Sequence, residues 1–227
     1  MFPIPRIDLA IGGAGSPVEV VESIRLLVLL TVLSLVPAIL VMVTSFTRTV
    51  IVLSFVRNAI ATNNVPPNQV LIGLALFLTL FTMAPTLARV QTEALAPYLD
   101  GQLSQEVAFE RASAPLREFM LRYTREKDLA LFLVASNSPQ PDTPDNLSLM
   151  VVVPAFMISE LKTAFQMGVM LFIPFMVIDM VVASTLLSMG MFMLPPTTIS
   201  LPFKLLLFVM ADGWHLVVKA LLESLGR

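Results

Sequence analysis

Long stretches without a single charge limit what this chain can fold into more than any other feature. Residues 26–43 carry no ionisable side chain and lie between Arg25 and Arg48; about 18 such residues is close to the least that crosses a hydrocarbon core of roughly 30 Å as a helix. A second uncharged run covers 70–87, after a turn signal at 63–68, and is expected to form a hairpin with the first. Residues 163–178 and 180–203 are uncharged on either side of Asp179, and a last apolar segment, 205–222, holds Asp212 and His215. Hydropathy alone therefore predicts about four spans. Pro37, inside the first run, removes a backbone hydrogen bond and predicts a kink. With 56% hydrophobic and only 13% charged residues, the 227-residue chain departs from the composition of a soluble globule and calls for lipid or apolar partners.

The same composition excludes several functions. A net charge of -2 with scattered basic residues provides no surface for a polyanion, so nucleic acid is not expected as a partner. The absence of cysteine removes disulfides and thiolate metal sites, and the single histidine, His215, leaves an imidazole site with one ligand; no metal and no cofactor is expected. No phosphate-binding glycine-lysine loop, nucleophile elbow or zinc-protease helix is present, and the glycines at 12–15 do not follow a strand. Glu106 and Glu110 stand one helical turn apart in a charged stretch, which reads as a water-facing side rather than an acid–base pair. The chain is not expected to be an enzyme.

Residues 89–146 differ in kind, holding nine of the 16 acids and six of the 14 bases. Leu116, Phe119, Met120 and Tyr123 recur at three- and four-residue spacing, the apolar side of a helix facing water with its other side. The proline-rich stretch 136–146 predicts a loop, and Asn146-Leu147-Ser148 matches a glycosylation pattern too short to exceed chance. Between the first two apolar runs, residues 47–60 read as amphipathic at best. Placing a loop with Arg48 and Arg57, together with Lys204, on the cytoplasmic side satisfies the positive-inside tendency and puts the long charged segment outside. Four segments result: 1–25 at the N-terminus; 26–87, apolar helical hairpins; 88–153, charged, mainly helical and extracytoplasmic; and 154–227, apolar hairpins. Residues 1–15 lack a basic region followed by an apolar one, so either the first apolar segment inserts the chain or a signal has been removed.

Two features stand out within the apolar segments. Asp179 and Lys204 lie among apolar neighbours, where an unpaired charge costs about 2.5–3.5 kcal/mol. Either they neutralise each other, or they pair with adjacent subunits, or both sit at helix ends in the interfacial zone. The second feature is Ser188-Met189-Gly190-Met191-Phe192-Met193-Leu194-Pro195-Pro196, soft side chains closed by a double proline, which reads as a turn. Such side chains suit ordinary core packing; around the axis of a ring they would form an apolar constriction that deforms as a polypeptide passes. Gly190 allows the backbone to bend there.

Three stretches together resemble one family: Thr44-Ser45-Phe46-Thr47-Arg48 through Val52-Leu53-Ser54-Phe55-Val56-Arg57-Asn58 to Pro66-Pro67-Asn68-Gln69-Val70-Leu71-Ile72-Gly73; Pro154-Ala155-Phe156-Met157-Ile158-Ser159-Glu160-Leu161-Lys162-Thr163-Ala164-Phe165-Gln166; and Ile173-Pro174-Phe175-Met176-Val177-Ile178-Asp179 on to Ser200-Leu201-Pro202-Phe203-Lys204. They resemble the FliP family of flagellar export-gate proteins, whose relatives in virulence injectisomes are called SctR. The resemblance implies an all-α fold of membrane-type hairpins packed into an oligomeric helical assembly. It implies several copies of the chain joined to FliQ and FliR, with FlhB and FlhA as neighbours. It implies a pore for unfolded export substrates in the inner membrane of the flagellar basal body, displaced toward the periplasm. The family's methionine gasket falls on Met191, Phe192 and Met193, with phenylalanine where many relatives have methionine, and its acid–base pair falls on Asp179 and Lys204. Rival readings are the equivalent injectisome subunit, a small-solute or ion channel or transporter subunit, which would call for polar residues along a conduction path, and a membrane-embedded enzyme.

Overall fold

The computed structural model describes residues 17–62, 64–136 and 147–226. Among them every regular element is a helix: α1 (Pro17–Val43), α2 (Phe46–Ala59), α3 (Asn68–Val90), a π turn at Gln91–Leu95, α4 (Ala96–Leu99), α5 (Gln105–Tyr123), α6 (Glu126–Ala135), α7 (Leu149–Ser188), α8 (Pro196–Met210) and α9 (Gly213–Leu225). Three of these segments are long and apolar enough to cross a membrane, Leu26–Val43, Asn68–Leu99 and Leu149–Ser188, and the bent pair α8 and α9 would make a fourth. The glycines at 12–15, most of the loop expected at 136–146 and the glycosylation match at Asn146 lie outside the described residues.

The chain divides at Ile39 and Leu40 into two units. The first contains most of α1, which runs through Pro37 without a break in its helical assignment and exposes Leu27, Val28, Leu29, Leu30, Leu33, Leu35 and Val36.

The second unit is built around a helix that hydropathy overlooks. Residues 47–60 do not form a loop: α2 is a 14-residue helix with Thr47, Arg48, Thr49, Val52, Leu53, Val56 and Ala59 buried. Their three- and four-residue spacing makes one wide face, and that face packs against α7 and α3. Val52, Leu53, Val56, Leu71, Ala75, Leu78 and Ala164 form the centre of the first core, extended by Phe175, Phe208, Val217 and Leu221. A second core gathers Met83, Phe119, Met120, Leu147, Val152 and Phe156, with Leu116 and Tyr123 partly buried against it. The apolar face read from residues 116–123 is thus the face that α5 buries, while Glu106 and Glu110 on the same helix are exposed.

Pro97 accounts for the π turn. It has no N–H to give the carbonyl four residues back, and its ring would clash with that carbonyl. The backbone widens by one residue before it, and the Ala96 N–H bonds to the Gln91 carbonyl. Farther along, α7 continues for 40 residues, through Asp179 and up to the stretch that reads as a turn. That charge lies inside one helix, and the break comes at 189–195. Residues 205–222, by contrast, are not one segment. Asp212 adopts the left-handed region at φ 49°, which aspartate tolerates better than most residues, and α8 and α9 meet there at 62°.

Gly168 leaves room for an α2 side chain against α7: a Cβ built there would lie 2.5 Å from the Phe55 ring, which itself packs edge-on against Phe165 with centroids 5.4 Å apart. Gly168→Ala is expected to cost about 1–3 kcal/mol through overpacking. Thermal unfolding in detergent, followed by the fluorescence of the single tryptophan, Trp214, would measure it, and an unchanged midpoint would mean that the Phe55 ring moves aside freely.

Candidate functional site

The end of α7 is a turn fixed by its backbone. Gly190, at φ 75°, follows the last helical residues; its N–H bonds to the Leu187 carbonyl at 3.0 Å and the Met191 N–H to the Leu186 carbonyl at 2.9 Å. These two bonds close a Schellman cap, which favours glycine at the left-handed position. Pro195 and Pro196 then start α8, with Pro196 at the first helical position, where a missing N–H costs nothing. The chain between presents its side chains outward: Met193 is 97% exposed, Phe192 76% and Met191 43%. They contribute to neither core of the described residues.

Below this turn the facing sides of α7 and α8 leave an apolar groove of about 490 Å³, lined by Val177, Val181, Thr185, Leu186, Ile199 and Phe203 among others. At its far end the structure brings Asp179 and Lys204 together. Lys204 Nζ donates to Asp179 Oδ2 at 2.6 Å and Ser200 Oγ donates to Asp179 Oδ1 at 2.6 Å, so both carboxylate oxygens are used. Neither charged residue sits at a helix end, so the helix-end alternative fails. The Lys204 side chain is 2% exposed and that of Asp179 28%. Ser200 was not singled out from the sequence, although it stands one helical turn before Lys204 on the same face of α8.

Sequence reasoning also missed a second buried pair. Arg48 of α2 donates from Nε to Glu160 Oε2 at 2.9 Å and from Nη2 to Glu160 Oε1, a two-pronged contact in which the side chains are 3% and 0% exposed. Arg48 Nη1 reaches across to α9 and donates to the Ser224 carbonyl at 2.9 Å and to Ser224 Oγ at 3.2 Å. The guanidinium lies over the Tyr123 ring, 5.2 Å from its centroid, and the Tyr123 hydroxyl donates to the Leu225 carbonyl. One arginine therefore ties α2, α5, α7 and the end of α9. The available signal was Glu160: it is the first of only three charged residues in α7, and an acid in such a helix needs a partner.

These pairs also correct the topology argument. Arg48 and Lys204 are neutralised in place by Glu160 and Asp179, so they are not free loop cations, and the positive-inside rule loses two of the three charges assigned to it. Arg57, the third, is half-buried at the end of α2 and donates to Asn68 Oδ1 at the start of α3. Outside the apolar segments, Glu118 takes hydrogen bonds from Arg89 at 2.6 Å and Arg122 at 3.2 Å. The Arg89 contact holds its carboxyl below the ordinary range. Among the described residues no three His, Cys, Asp or Glu side chains converge on one point.

Among the described residues every regular element is a helix, several helices are long and apolar enough to span a membrane, two ion pairs are buried between helices and an apolar turn is left exposed, which together define a membrane-type helical protein. Comparison with known proteins gives the family. The family model described as FliP family matches residues 29–221. The flagellar biosynthetic protein FliP of Bacillus subtilis is 57% identical over 212 residues, covering 93% of this chain and 96% of the relative. Those of Aquifex aeolicus and Pectobacterium carotovorum are 52% and 57% identical over 223 and 202 residues, covering 97% and 89% of this chain and 92% and 78% of the relatives. The chain belongs to the FliP family, a component of the flagellar export apparatus and not a known enzyme family.

Two charge experiments separate the pairs. Arg48→Met alone strands a buried carboxylate and is expected to cost about 3–5 kcal/mol, whereas Arg48→Met with Glu160→Met should cost clearly less; unfolding midpoints of the singles and the double make the comparison, and equal losses would show that the pair is not a unit. Asp179→Lys and Lys204→Asp should each reduce recovery of the assembled protein from detergent. The combined swap should restore it, and a double variant no better than the singles would argue against direct pairing.

Proposed function

We propose that the chain is a core subunit of the export gate of the flagellar type III secretion system. Several copies, joined to FliQ and FliR and neighboured by FlhB and FlhA, form a pore through which unfolded export substrates leave. The assembly lies in the inner membrane at the flagellar basal body, displaced toward the periplasm. Family membership supplies the setting, and the observation that carries the reading is the bare turn at 189–195. A rigid, capped tip that presents Met191, Phe192 and Met193 to solvent is a poor arrangement for a lone molecule and a good one for a ring in which identical tips meet.

The chemistry of the tip fits a seal. Thioethers and a phenyl ring exclude water and ions, yet methionine has three soft torsions and yields to a passing chain of any sequence. The phenyl ring has fewer ways to deform, so this collar is stiffer at its middle position. The energy for export comes from other components; the subunit contributes the closure.

Changing Met191, Phe192 and Met193 together to alanine should raise ion leak through the open gate, measured as conductance in planar bilayers, while the detergent-extracted assembly keeps its mass with FliQ and FliR co-expressed. Unchanged conductance at unchanged mass would remove the collar from this turn. A mass equal to one chain would remove the oligomer.

A further inference from the structure

The helix that leads into the turn at 189–195 and the helix that leaves it are both interrupted at one level. In α7, Pro174 has no N–H to donate to the Met170 carbonyl, so one rung of the helix is missing there. Opposite it the return limb stops: α8 ends at Met210, Asp212 takes its left-handed torsion, and α9 departs at 62°. The two interruptions face each other across a short stack of rings. Phe175, next to Pro174, lies 6.3 Å from Phe208, and Phe208 lies 5.3 Å from Trp214, edge-on at 89°. Gly213 completes the seat. A Cβ built on it would lie 2.2 Å from the Phe208 ring, so the ring rests directly on the glycine backbone.

The two sides of this level are held differently. On one side α7 is buried at Val152, Ala155, Phe156, Ala164 and Gly168, and α9 at Val217, Leu221 and Leu225. Arg48 and Tyr123 also hold the end of α9, through Ser224 and Leu225. On the other side residues 176–188 and 196–207 are largely exposed, and the side-chain hydrogen bonds they make run within or between these two limbs. Two helices tied together at Asp179 and at the Gly190 cap, and meeting the core through two interrupted backbones and a stack of rings, form an arm on a joint. Packed rings, unlike a ladder of hydrogen bonds, tolerate a change of angle without losing a bond. From Pro174 to Ser188 the arm is roughly 21 Å long at 1.5 Å per residue, so a tilt of about 10° carries its tip roughly 4 Å.

We infer that this level is the pivot of the gate. The arm made by α7 and α8 tilts as a unit about Pro174 and the Asp212–Gly213 bend, with Phe208 rolling on Gly213, and carries Met191, Phe192 and Met193 away from their closed position. The turn itself keeps its shape, and the Asp179–Lys204 pair stays intact throughout. The inference rests on the reading of the turn as a closure; it gives Pro174, Phe208, Asp212 and Gly213 a positioning role and leaves the seal to the tip.

The chain has no cysteine, so spin labels attach only where cysteines are introduced. In the full chain in detergent, Leu187→Cys with Lys219→Cys reports the arm against the core, and Leu187→Cys with Leu206→Cys reports distances within the arm; all three positions are exposed. The arm-to-core distance distribution should be the wider by roughly 4 Å. Pro174→Ala, which restores the α7 hydrogen bond, should narrow it, and Asp212→Gly, which relaxes the left-handed torsion, should widen it, with the distances inside the arm unmoved by either. Equal widths for the two pairs in the unaltered chain would overturn the joint, as would an arm-to-core width that neither substitution changes. In planar bilayers the assembly carrying Pro174→Ala should open less often than the unaltered one. A joint that stiffens while opening is unchanged would remove it from gating, whereas an unaltered assembly that never conducts would count against the pore and leave the joint to be decided by the distances.

Discussion

The packed part of this molecule depends on the contact between Arg48 and Glu160. Burying either charge alone in an apolar core is prohibitive, and burying both is tolerable only when the remaining hydrogen-bonding capacity is also used. Here it is used: two guanidinium nitrogens face the carboxylate, a third faces Ser224, and the cation rests on the Tyr123 ring. The arrangement can be completed only when α2, α5, α7 and α9 are in register. Hydrophobic burial drives these helices together without direction, and the ion pair selects one way of doing so. The Ser224 and Leu225 carbonyls, which the end of α9 leaves without helical partners, are met by the same group of side chains.

Much of the helical content was legible in the sequence because uncharged runs and three-to-four spacing report directly on apolar faces. The errors share one cause: hydropathy counts a charge as a boundary. Arg48 made residues 47–60 look like a loop, and Asp179 interrupts the uncharged run of what is one 40-residue helix. A charge stops being a boundary when its partner is buried beside it, and the partner is far away in sequence, Glu160 for Arg48 and Lys204 for Asp179. The break at Asp212 failed in the opposite sense. It depends on one backbone torsion amid apolar residues, although the Asp212-Gly213 dipeptide was a turn signal that outweighs hydropathy. The turn at 189–195 was readable because glycine and two prolines dictate backbone geometry locally, without help from distant residues.

The two halves of α7 live in different conditions. Val151, Val152, Ala155, Phe156, Ser159, Glu160, Ala164 and Gly168 are buried along a single stripe, whereas beyond Gly168 only Phe175 and Leu186 are buried. Apart from Asp179 and a few hydroxyl side chains, the C-terminal half is nonetheless apolar, which suits a helix surrounded by lipid or by other chains. At 40 residues the helix is roughly 60 Å long, about twice the thickness of a hydrocarbon core, so it cannot lie entirely within one bilayer along the normal. The packed half serves as a base, and the bare half is offered to something outside the chain.

What the bare half gains from its own structure is order before assembly. Association costs entropy for every side chain and loop that is fixed at an interface, and a free hairpin with no core beneath it would carry most of that cost. The Schellman cap at Gly190, the fixed torsions of Pro195 and Pro196 and the Asp179, Lys204 and Ser200 contacts hold α7 and α8 together with no neighbour present. Placing the charges roughly 14 Å below the end of α7, rather than at the tip, keeps the tip itself apolar. The lysine is the more deeply buried partner and the aspartate keeps an exposed edge. A neighbouring chain can therefore add a hydrogen bond to that carboxylate without first breaking the internal pair.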